Sequence, residues 1–138
     1  VSDFKFSTEV RVRLPETDAF GIVFHGYFFT YFDVARMDYL RNLGLMDVVR
    51  AGRANNLIVH VDADFKSPAR FDDVLVVAAR IAEIGTTSFT FRFRVTHKAE
   101  GRFVAEGKSV HVVIDDHTWR PVAVPADFRK KVEQFEQA

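Results

Sequence analysis

Asp18 and the pair His25-Gly26 are the residues of this chain whose types and spacing could do chemistry. A carboxylate can take a proton from water or attack an electrophile itself. His25-Gly26 stands where the only long helical pattern begins, and Gly26 lets a backbone or a ligand approach its first turn. The first amides of a helix have no partner inside it, and the helix dipole adds partial positive charge there. Asp18 and free amides at His25 and Gly26 would therefore face one reacting group from two sides. Plainer readings stay open at this point. An aspartate between a strand and a turn often closes an Asx-turn or a cap. A single histidine often packs or caps, and the cluster Phe20, Phe24, Phe28, Phe29, Phe32 suits a core as well as a pocket.

These residues need elements to hold them. From Tyr27 to about Leu43, Phe28, Tyr31, Phe32, Ala35, Tyr39 and Leu43 recur at a period of 3.6 on one stripe, with Thr30, Asp33 and Arg41 opposite. Phe29, Val34, Met37 and Leu40 fill the angles between, so the helix is apolar around most of its girth and is expected to be buried against more than one surface. Gly44 suits a left-handed stop. Alternation predicts strands over Phe4–Leu14, Leu57–Lys66, Val74–Ile84, Phe89–Thr96 and Arg102–Ile114. The run Val74–Ala79 suggests burial on both faces. Pro15, Ser67–Asp73, Gly85-Thr86-Thr87, Glu100-Gly101 and Asp115–Pro121 are the breaks, Met46–Asn56 reads as a connecting turn with some helix, and Pro125–Gln137 as a short helix. The order is one strand, a helix, then four strands with tight turns. It lacks repeated βαβ units, so an antiparallel α+β sheet curled around one buried helix is the economical arrangement.

The 138 residues suit one domain, 1–138. The 19 basic and 19 acidic residues cancel, which removes any bulk attraction to nucleic acid or anionic membrane. The chain has no cysteine, which excludes disulfides, thiolate metal sites and a thiol nucleophile. No apolar run is long enough to span a bilayer and no signal peptide is recognised, so a soluble cytoplasmic protein is expected. Phosphate-loop, dinucleotide, serine-hydrolase and His-Glu-x-x-His signatures are missing, and the histidines show no metal spacing. Fifteen phenylalanines point to an aromatic core or an aromatic pocket.

Asp18-Ala19-Phe20-Gly21-Ile22-Val23-Phe24-His25, leading into an aromatic helix with Ala35-Arg36, resembles the 4-hydroxybenzoyl-CoA thioesterase-like branch of the hotdog family. Phe65-Lys66-Ser67-Pro68-Ala69 with Asp72-Asp73, and the stretch from Asp115 to Pro125, also look like that family. The resemblance covers nearly the whole chain. It implies a five-stranded antiparallel sheet wrapped around one long central helix, in subunits that pair and pair again to a homotetramer. It implies hydrolysis of an acyl-CoA or acyl-carrier-protein thioester, with coenzyme A as part of the substrate, no other cofactor and no metal. Asp18 matches the essential carboxylate, as general base or nucleophile. His25, through its backbone amide, and Gly26 match the helix start that polarises the thioester carbonyl. Phe24, Tyr27 and Phe28 are expected beside the acyl group. Lys66 and Arg92, with Arg70, Arg94 and Lys98, are candidates for the CoA phosphates, and for each a solvated sheet edge stays open as the plain reading. The chain departs from many relatives at Tyr27 (asparagine), at Phe28 (tyrosine) and in entering through Glu16-Thr17-Asp18 rather than Asp-x-Asp. Two other functions share such a fold: a dehydratase or hydratase, which uses a histidine with a carboxylate, and a non-catalytic acyl-CoA-binding domain.

Overall fold

The computed structural model describes residues 3–46 and 55–137. Five strands, β1 (Phe6–Arg11), β2 (Asn56–Phe65), β3 (Val74–Ile84), β4 (Ser88–His97) and β5 (Phe103–Val113), form one sheet in the order β1-β3-β4-β5-β2. Every neighbouring pair is antiparallel. Among the described residues two α-helices accompany it, α1 (Tyr27–Asn42) and α2 (Ala126–Gln137). The expected connection over Met46–Asn56 falls mostly outside the described residues.

Strand β4 shows why the sheet has one inner face. Phe89, Phe91, Phe93 and Val95 are buried, while Arg92 and Arg94 between them are exposed. Side chains alternate across a strand, so the phenylalanines share one face. Helix α1 lies on that face. Phe32 stacks on Phe93 with ring centres 4.5 Å apart, and Tyr39 meets Phe91 edge-on at 5.3 Å. Removing a phenylalanine side chain from water contributes roughly 1.5–3 kcal/mol, so this aromatic layer is a main fastening of helix to sheet. Close approach requires a glycine in β5. A Cβ on Gly107 would stand 2.1 Å from the Asp62 carbonyl oxygen and 2.8 Å from the Phe32 ring. Gly44, at φ +72°, ends the helix in the left-handed region as expected.

Three expectations change. The inner face carries α2 as well as α1: Phe128 reaches Phe89 at 5.0 Å and Phe135 reaches Tyr39 at 5.6 Å. One helix therefore does not fill the concavity alone, because Phe128, Val132 and Phe135 make a second apolar stripe. Strand β3 is not buried on both faces. Leu75, Val77, Ala79 and Ile81 are buried, but Val74, Val76, Ala78 and Arg80 are only half-buried on the outer side, where no further layer lies among the described residues. In β2 the alternation shifts at a bulge between Ile58 and His60, so Leu57 no longer shares the face of Val61.

Candidate active site

The chain leaves β1 through a short 3-10 turn, Leu14–Glu16, in which Pro15 sits at a position that tolerates its missing N–H. It then forms a narrow loop. The Phe24 amide donates to the Glu16 carbonyl at 2.9 Å, the Asp18 amide to Ile22 at 2.8 Å, and Thr17 bridges Val23. A second layer supports it: the Val23 amide donates to the Ala69 carbonyl at 2.8 Å, and Ile22 bridges Arg70. That layer, residues 66–73, is tied to β5, since the Lys66 and Ser67 amides share the Val104 carbonyl and Arg102 donates to Ser67 Oγ and the Pro68 carbonyl.

Between the two layers and the start of α1 lies a cleft of about 430 Å³, lined by Asp18, Ile22, Val23, His25, Phe28, Phe65, Lys66, Ser67, Pro68 and Ala69. Asp18 is half-buried, and its Oδ1 accepts the Phe20 amide at 2.8 Å. The Asx-turn anticipated as the plain reading is therefore present. It occupies one carboxylate oxygen, and Oδ2 has no hydrogen-bond partner among the described residues. At the helix start, the Tyr27, Phe28 and Phe29 amides are taken up by the Phe24, His25 and Gly26 carbonyls. The His25 and Gly26 amides have no acceptor among the described residues. Gly26 itself has an ordinary helical φ of −62°. Its missing Cβ matters instead for space, since one would press on the Phe24 ring at 3.1 Å.

The structure thus gathers Asp18, His25, Phe28 and Lys66 in one cleft, with Gly26 next in the chain. Phe24 is 45% exposed at the rim, its ring 4.3 Å from that of His25. Tyr27 packs against the core beside the site without lining the cleft. Arg92 is not brought to it. It lies on the outer face of β4, opposite the face that carries α1, paired in register with Arg80 and Lys108. Arg94 shares that outer face, over the Phe103 ring at 4.4 Å, and Lys98 is paired with Glu9 at 2.7 Å. Arg70 remains beside the cleft. Phe20 is 85% exposed and Phe29 packs on Phe32, so neither lines the cleft. Phe65 takes their place, 5.4 Å from Phe28 and 6.3 Å from His25. Its place in β2 was legible from alternation, but its meeting with α1 was not.

Sequence reading passed over Glu16. Only 3% of it is exposed, yet it is charged. Burial pushes its carboxyl up, but the Arg13 amide, the Tyr31 hydroxyl and the Arg13 guanidinium donate to it and outweigh that, holding it below the usual range. A second buried polar group, His111, joins Ser109 Oγ and Asn56 Oδ1 at 2.8 Å each and stacks on Phe89. Ser109 is 4% exposed and lines no described cleft, so this trio fastens β5 to β2. Among the described residues no group of three or more histidine, aspartate or glutamate side chains is arranged to hold a metal, and no helix is long and apolar enough to cross a membrane.

A five-stranded antiparallel sheet in the order β1-β3-β4-β5-β2 is the sheet of the hotdog-fold thioesterases. The chain belongs to the thioesterase-like superfamily, whose family model matches residues 12–132. It is 29% identical over 133 residues to the acyl-CoA thioester hydrolase YbgC of Escherichia coli, covering 96% of each chain. It is 30% identical over 129 residues to the chloroplastic acyl-acyl carrier protein thioesterase ATL3 of Arabidopsis thaliana, covering 92% of this chain and 67% of that one. Its fold superimposes on a 1,4-dihydroxy-2-naphthoyl-CoA thioesterase from Synechocystis with a TM-score of 0.84, at 22% identity, covering 92% of this chain and 94% of the other.

Proposed function

We propose that the protein hydrolyses acyl-CoA thioesters to a free acid and coenzyme A, with Asp18 and the His25 and Gly26 amides as its working groups. The observation that supports this is that Asp18 and His25 line one cleft, with Gly26 next in the chain, while Asp18 Oδ2 and the His25 and Gly26 amides have no hydrogen-bond partner among the described residues. As an oxygen atom adds to the thioester carbon, negative charge grows on the carbonyl oxygen, and the two amides stabilise it there. Losing one such donor typically costs about 10²–10³ in rate. Asp18 Oδ2 takes the proton of the attacking water, the C–S bond breaks, and the departing thiolate carries that proton away. In the covalent variant of this step Oδ2 itself attacks, and water then opens the mixed anhydride; both end with the same acid and thiol. A single turnover in ¹⁸O water separates the two, since only the anhydride route can put label into Asp18.

Phe28, Phe65, Ile22 and Val23 form an apolar wall, which supports aromatic or medium-to-long acyl groups over acetyl. Lys66 at the mouth suits a CoA phosphate. A carrier-protein thioester presents the same reacting bond, and one of the relatives carries that activity in its name. The unpaired side of β2 supports a homodimer. Leu57, Ile58, Val59, Val61 and Phe65 are all exposed along it, and a long apolar edge of this kind recruits another strand. The other edge, β1, is only six residues long and bears Glu9 and Arg11. Pairing of β2 with its copy would set Phe65 and the cleft beside the partner subunit, and the half-buried outer valines Val74, Val76, Val110 and Val112 support a dimer of dimers. Free-thiol release from a panel of acyl-CoAs, run beside enoyl-CoA hydration, tests the reading. Thiol release is expected; hydration without thiol release would turn the assignment to a hydratase, and binding without either to a sensor.

A further inference from the structure

We propose that Glu16 is a positioning residue that sets the Asp18 carboxylate against the His25 and Gly26 amides; this rests on the reading of Asp18 given above. The 3-10 turn and helix α1 meet on the buried side chain of Glu16. Oε1 accepts the Arg13 amide at 2.9 Å and the Tyr31 hydroxyl at 2.8 Å. Oε2 accepts Arg13 Nε at 2.8 Å and forms an ion pair with the second guanidinium nitrogen at 2.6 Å. Arg13 lies two residues past β1 and caps the 3-10 turn, Tyr31 stands on α1 just beyond its first turn, and Glu16 opens the narrow loop. The backbone of Glu16 completes the joint, since its carbonyl holds the Phe24 amide. Asp18 lies two residues after Glu16, and His25 follows Phe24. Moving Glu16 therefore moves the carboxylate and the amides by different amounts.

A buried charge is a poor way to add stability, because its desolvation offsets much of the attraction. What a fully bonded carboxylate supplies is direction: both oxygens are held in two directions each, and the bond to Tyr31 ties the loop to the helix that supplies the amides. A displacement near 1 Å at reacting groups can cost about 10²-fold in rate, so geometry of this kind is worth holding. Arg13 is largely exposed, with 74% of its side chain open to solvent. The clamp consequently depends on Glu16 and Tyr31 more than on its cation.

The experiment is a double-mutant cycle on the full chain: wild type, Glu16→Gln, Asp18→Asn and the double variant, with kcat and KM for one acyl-CoA substrate and a melting curve for each. Glu16→Gln should lower kcat by about 10–100-fold while KM changes little. The same change made in the Asp18→Asn background should cost almost nothing more, because groups that act as a unit are not additive. Tyr31→Phe should show the same pattern at smaller size, and it carries the test alone if Glu16→Gln gives no cooperative melt. Losses that multiply across the cycle, or a kcat unchanged by both Glu16→Gln and Tyr31→Phe, would overturn the proposal. An Asp18→Asn enzyme with full activity would instead remove the catalytic reading beneath it, so the two failures are distinguishable.

Discussion

Replacing Asp18 by asparagine separates chemistry from architecture at this site. Among the described residues, the only hydrogen bond to the carboxylate is from the Phe20 amide to Oδ1, at 2.8 Å. An asparagine carbonyl can accept that same bond, and asparagine closes Asx-turns and caps about as well as aspartate. The backbone bonds of the loop, from Asp18 to Ile22 and from Gly21 to Asp18, do not involve the side chain. Asp18→Asn should therefore melt within a few degrees of wild type, since a change below about 0.5 kcal/mol moves the midpoint by only roughly 1–3 °C in a domain of this size. Oδ2, in contrast, becomes an amide nitrogen that can neither take a proton from water nor attack carbon. Loss of a positioned base costs about 10²–10⁴ in rate, which is roughly 2.7–5.4 kcal/mol of barrier at 1.36 kcal/mol per tenfold. The loss should fall on kcat, with KM little changed or lowered, because the interaction belongs to the transition state. His25→Ala keeps the His25 and Gly26 amides and should cost far less. Steady-state kinetics of the purified variants, with melting curves, check this. An Asp18→Asn enzyme within about threefold of wild type, well short of that range, would refute the reasoning and leave Asp18 as a turn residue.

Three further outcomes are expected. Burial, with a smaller push from the Arg36 charge, lowers the His111 pKa to about 3 from 6.5. The unfolded chain then binds a proton that the folded chain refuses between those values, so this contribution to stability is complete above pH 6.5 and is lost as pH falls towards 3, by at most about 1.4 kcal/mol per pH unit. Chemical denaturation of wild type and His111→Gln across that window should show a flatter profile for the variant, and parallel profiles would contradict the assignment. Val61→Lys, on the open side of β2, should lower the mass seen by light scattering at micromolar concentration, whereas a wild-type protein that is already monomeric would rule out the oligomer. Phe65→Ala should weaken selection of bulky acyl groups over acetyl by about 1–3 kcal/mol in kcat/KM, and an unchanged ratio would remove Phe65 from the acyl wall.

Much of this protein is written in local pattern. The helix from Tyr27, its stop at Gly44 and the alternation of Phe89, Phe91 and Phe93 follow from periods of 3.6 and 2, which depend only on neighbours along the chain. Asp18 beside the helix start is likewise local, being seven residues from His25. What depended on contacts between distant segments was not legible. The one-sided burial of β3 depends on what covers its outer face. The bulge at Ile58–His60 depends on the register with β5. The second helix on the inner face depends on Phe128 finding Phe89, and the exclusion of Arg92 from the cleft on which side of β4 receives α1. Glu16 makes the same point most sharply. In the sequence it is one more acidic loop residue, and charge alone predicts that it faces water. Arg13 reaches it locally, three residues away, but only the fold brings the Tyr31 hydroxyl from α1, and only with such donors in place can a carboxylate remain charged while buried.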